Sequence, residues 1–164
     1  MIRPALLRLA LPLATLLFAA PDAAARQSLG VFESWAAFRD TSPARCYAIA
    51  MPRGGSEDGA YASIATWPAR GVRGQVHLRL SQVPREGSAV WLTIGQRRFD
   101  LAAQGRNAWA QDAAMDAAIV AALRSSGQMR VSARSRSGRR FSDRYDLPGV
   151  ATAIDASLVS CASR

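Results

Sequence analysis

A chain of 164 residues with 49% hydrophobic and 20% charged side chains holds one domain of ordinary size and is too short for two. Its 21 cations against 12 anions give a net charge of +9, and every cation is an arginine. A lysine-free chain reflects a GC-rich coding sequence as much as design. The excess of positive charge still favours acidic partners such as anionic lipid head groups, acidic polysaccharide or nucleic acid.

Residues 1–25 read as a cleavable signal peptide that directs the chain to the periplasm. Arg3 and Arg8 form a positive start, Leu9 to Ala20 is an apolar run interrupted only by Pro12, and Ala23-Ala24-Ala25 supplies the small residues of a cleavage site. The cut is expected after Ala25. The run is roughly a dozen residues, short of the about 20 that a spanning helix needs. No transmembrane anchor is therefore expected after cleavage, which leaves 26–164 as a single domain. In an oxidising compartment Cys46 and Cys161 are expected to pair. Such a bond closes a long loop, for which chain entropy gives about 4.7 kcal/mol. With no CxxC and a single histidine, zinc and thiol-redox chemistry lack partners, and no metal site is expected.

Arg26 to Thr41 leads into the domain, with Val31, Phe32, Trp35 and Phe38 able to pack on it. Period-2 apolar runs follow and predict strands over Cys46 to Met51, Ala60 to Trp67 and Gln75 to Ser81. In the third, Val76, Leu78 and Leu80 face inward while His77 and Arg79 face out, a position that suits His77 to a plain surface role. Ala89 to Leu101 predicts a hairpin turning at Gly95-Gln96, which pairs Leu92 with Phe99 and Val90 with Leu101. Thr93 with Arg98 and Trp91 with Asp100 fall on its other face.

One helix is expected after Asp112 as N-cap, with Met115, Ile119, Val120 and Leu123 along one side, Arg124 in its last turn and Gly127 as the stop. A second strand pair, Met129 to Ser135 and Arg139 to Tyr145, precedes Pro148-Gly149 and a short C-terminal helix, Ala151 to Leu158. The fold class is β-rich α+β: an antiparallel β-sandwich or open barrel with one main helix, a short C-terminal helix and a single disulfide.

Catalytic sets are scarce. A Ser-His-acid relay would have to use His77 and has no GxSxG elbow, and no Walker A or dinucleotide fingerprint occurs, so no cofactor is expected. Paired carboxylates at Asp143 and Asp146 or at Asp112 and Asp116 are the acid–base candidates, although acids at a helix start also stabilise its dipole. Trp35, Trp67, Trp91 and Trp109 are scattered, with no aromatic run between cations. They read as packing residues, and no nucleic-acid partner is expected after export.

The second hairpin carries the sharpest signal. A three-residue turn at Arg136-Ser137-Gly138 sets Ala133 opposite Phe141 and Met129 opposite Tyr145. The other face then receives Arg134 across from Arg140 and Arg130 across from Arg144. A two-residue turn would mix Arg134 with Phe141, so hydrophobic phase selects the first register. Four guanidinium groups on one face form a candidate anion-binding patch.

Trp35 and Phe38 ahead of Arg45-Cys46-Tyr47, Trp109, the Asp116 to Leu123 helix, Met129 to Gly138, Tyr145-Asp146-Leu147-Pro148-Gly149 and Cys161 together form a diffuse pattern over nearly the whole domain. It resembles the invasion-associated locus B family of exported bacterial proteins. The resemblance implies a β-rich periplasmic or envelope-associated domain and brings no enzyme activity, cofactor or catalytic residue. The expectation is a non-enzymatic module that meets an anionic envelope component, lipid head groups or polysaccharide, or a protein partner. The rivals are a hydrolase of envelope polymers using an Asp or Glu pair, and a purely structural assembly partner.

Overall fold

Period-2 patterning is realised as ten antiparallel strands in one sheet. The computed structural model describes residues 26–55 and 58–162, and the expected signal peptide lies outside them. In chain order the elements are β1 (Arg26–Phe32), β2 (Trp35–Thr41), β3 (Ala44–Ala50), β4 (Tyr61–Trp67), β5 (Val72–Arg79), β6 (Val90–Ile94), β7 (Arg97–Gln104), β8 (Asn107–Trp109), α1 (Ala113–Leu123), β9 (Gln128–Arg134), β10 (Arg140–Asp146) and α2 (Val150–Ala162).

The sheet order is β1-β2-β3-β4-β5-β8-β7-β6-β9-β10. The fold is thus a β-rich α+β open sheet with two helices and the expected Cys46–Cys161 disulfide. Its two ends approach each other without forming a ladder. The Arg53 N–H donates to Arg144 O at 2.7 Å, and Trp35 Nε1 donates to Asp146 O at 2.9 Å.

Alternation sends Val76, Leu78 and Leu80, Val90, Leu92 and Ile94, and Met129 and Val131 into one shared core. Over β2–β4 the inward residues include the small Ala37, Ala48, Ala50 and Ala62 beside Trp35 and Ile64. Side chains this short let a helix approach the sheet closely, and α2 packs there on β1–β4 while α1 packs on β5–β7. Asp112 caps α1 by accepting from Met115 N at 2.7 Å.

Both expected hairpin registers occur. Leu92 faces Phe99, and Ala133 faces Phe141. Gly95 and Gly138 take positive φ, 55° and 80°, as their turns require.

Four expectations are corrected. The leading segment is itself a hairpin, β1–β2, turning at Glu33, which adopts φ 52° without being glycine, so no turn residue announced it. Val31 is exposed rather than packed. The helix α1 ends at Arg124, which adopts ordinary helical angles, and Gly127 is no left-handed cap. The C-terminal helix is the longer of the two, 13 residues against 11, because nothing after Pro148-Gly149 breaks it and it continues past Cys161.

Gly149 joins β10 to α2 at φ 86°, and a β-carbon there would lie 1.8 Å from the Phe32 carbonyl oxygen. Gly149→Ala is expected to lower stability by about 3 kcal/mol, combining left-handed strain with a backbone clash. Urea unfolding checks this, and an unchanged midpoint would contradict it.

Candidate functional site

The outward face of the sheet carries two groups of side chains. Across β9 and β10, Arg130 stands opposite Arg144 and Arg134 opposite Arg140, as hydrophobic phase requires. All four are exposed. The row through Arg130 extends by Thr93 on β6 to Arg98 on β7, so three arginines line one cross-strand row. None of the ion pairs among the described residues involves the four hairpin arginines. Arg134 is partly committed, donating to Gly138 O at 3.2 Å.

Two shallow depressions flank Arg130. One, of about 530 Å³, sets Arg130 and Arg144 against the backbone of Gly127. The other, of about 410 Å³, sets Arg130 and Arg140 against Trp91 and Ser132. Arg98 lies over the Trp91 ring at 4.4 Å and fixes that wall.

The second group lies on β3, β4, β5 and β8, where a depression of about 610 Å³ is lined by Tyr47, Tyr61, Trp67, His77 and Trp109 with Arg26 and Arg45. His77 stacks on Trp109 and meets Tyr61 edge-on, each at 5.5 Å, and its Nε2 lies 3.1 Å from Asn107 Oδ1. Arg45 lies over both Tyr47 and Trp67. Burial pushes Asp40 up, but hydrogen bonds from Arg26 and Arg45 outweigh it and hold the carboxylate below its ordinary range.

Sequence reasoning missed this cluster. Only Trp35 is a core tryptophan; Trp67, Trp91 and Trp109 sit on the outward face. The available signal was phase: Tyr61 and Trp67 flank β4 on the side away from Ala62 and Ile64, and His77 shares that side on β5. His77 does point outward, yet it is half-buried among rings.

Of the paired acids, Asp143 and Asp146 are kept apart, whereas Asp112 and Asp116 lie one helical turn apart, where burial and then the Asp112 charge push the Asp116 carboxyl up. Alternation along β10 turns Asp143 inward, where it accepts from Ser81 N and Ser81 Oγ, while Asp146 lies on the other side with Arg53. Asp112 caps α1, and Asp116 accepts from Val76 N at 2.8 Å, tying α1 to β5. Among the described residues there is no group of three metal-ligating side chains, and no helix is long and apolar enough to cross a membrane. Comparison of the chain with protein-family models, with curated proteins and with solved structures finds no match.

Burial pushes the His77 imidazole below its ordinary value of 6.5. Just below pH 6.5 the unfolded chain therefore binds more protons than the folded one, so stability rises with pH through that window and is lost on acidification. His77→Gln is expected to flatten this slope between about pH 5 and 7. Thermal unfolding across that range checks it, and an unaltered slope would contradict it.

Proposed function

We propose that this is an exported, non-enzymatic binding domain of the periplasm or cell envelope, resembling invasion-associated locus B proteins. It holds an anionic envelope component, lipid head groups or acidic polysaccharide, against Arg130, Arg134, Arg140 and Arg144. A protein partner with an acidic surface is the second occupant this face suits. The observation that carries the reading is the set of four arginines in two cross-strand pairs that form no ion pair among the described residues.

Like charges directly opposite in a sheet are unfavourable by a few tenths to about 1 kcal/mol per pair. A bound anion removes that repulsion, and a guanidinium meets phosphate or carboxylate with two parallel hydrogen bonds. The Cys46–Cys161 disulfide and the basic leader sequence support export to an oxidising compartment. The structural duties of Asp112, Asp116, Asp143 and Asp146 weigh against the hydrolase alternative for those pairs.

Reversing all four charges to glutamate is expected to weaken retention on anionic vesicles and on lipopolysaccharide at least tenfold at low salt. Co-sedimentation across a salt series measures this. Retention equal to the unaltered protein would overturn the proposal.

A further inference from the structure

We propose that the ring-lined depression on β3–β5 and β8 is a second binding site, which receives sugar rings of an acidic polysaccharide. The site is independent of the hairpin arginines and lies on different strands. Three features of its lining point to that ligand.

The first is the rings. Tyr61, Trp67 and Trp109 are half-buried on the outward face, where no core covers them. Large rings with one apolar face and one polar tip suit a partner that is itself two-sided. A pyranose is such a partner, with C–H groups on its face and hydroxyls round its rim. The rings are already held: His77 stacks on Trp109, and Trp67 Nε1 donates to Gln75 Oε1 at 3.1 Å with Arg45 and Arg70 over its indole. Rings fixed beforehand lose little freedom when a ligand arrives.

The second is the planar amides. Gln75 accepts from Trp67, and Asn107 Oδ1 meets His77 Nε2, so both amide oxygens are engaged by the rings themselves. Their NH2 groups are the donors these side chains bring to the lining, suited to sugar hydroxyls. The mixture of amides, Ser63 and imidazole between the rings does not suit a lipid tail, which seeks an unbroken apolar pocket.

The third is charge. Arg26 and Arg45 share the single carboxylate of Asp40, which leaves the trio with one net positive charge. Each guanidinium has five N–H donors, more than Asp40 can use, and a sugar carboxylate can accept the remainder.

Calorimetric titration of the protein with uronic-acid oligomers from pectin, alginate and hyaluronan tests the proposal. At least one should bind saturably, and a neutral cellulose oligomer of equal length at least tenfold more weakly. Trp109→Leu and, separately, Tyr61→Ser should each weaken binding at least tenfold, with circular dichroism confirming that both fold. Met51→Ser, an exposed side chain outside both patches, should retain it. Failure of all three oligomers to bind, equal affinity for the neutral one, tighter binding of an oligothymidylate, or unchanged affinity in both ring variants would each overturn the assignment. Binding lost on the fourfold arginine reversal of the β9–β10 hairpin but kept in both ring variants would overturn it too, while leaving the hairpin reading intact.

Discussion

A ten-stranded sheet has to cover its inner face, and over β1–β4 that cover is α2. The helix can lie close because the sheet beneath it is paved with Ala37, Ala48, Ala50 and Ala62. It is held at one end by Gly149 against the Phe32 carbonyl and at the other by Cys161 bonded to Cys46. Arg124 of the α1 C-cap pairs with Asp155 of α2, so the two helices that close the core also brace each other. A disulfide joining residues 115 apart constrains the unfolded chain more than a local bridge would.

Sealing one face decides what the other face can be. Residues alternate without a break along β9 and β10, so a register that sends Val131 and Tyr145 inward must send Arg130 and Arg144 outward. The same logic on β4 and β5 buries Ile64 and Val76 and leaves Tyr61, Trp67 and His77 outside. Aromatic and cationic groups therefore gather on one surface in two patches of different chemistry. Near β9–β10 the four arginines form no ion pair among the described residues. Near β3–β5 two arginines share Asp40, and their remaining donors meet rings and amides.

Much of this was legible in the residues. Gly95 and Gly138 marked turns whose hydrophobic phase admitted one register each, and Asp112 marked the start of α1. The β1–β2 hairpin was not, because Glu33 supplies the positive φ that turn chemistry assigns to glycine or asparagine. The short strand β8 was also hidden, since three residues are too few to show a period, yet it joins β5 to β7 and carries Trp109 into the ring cluster. That cluster draws its members from positions 26 to 109, and nothing in local sequence says that Tyr47, Trp67 and Trp109 will share a surface. Fold class follows from local pattern, whereas the site depends on which strands become neighbours.

Backbone amide hydrogen exchange of the folded protein, with and without a reductant, addresses the clamp most directly. If α2 depends on its bond to Cys46, reduction should strip protection from α2 and β1–β3 while β6, β7, β9 and β10 keep theirs. Protection that is unchanged throughout, or lost evenly from all ten strands, would contradict a clamp that governs one half of the sheet.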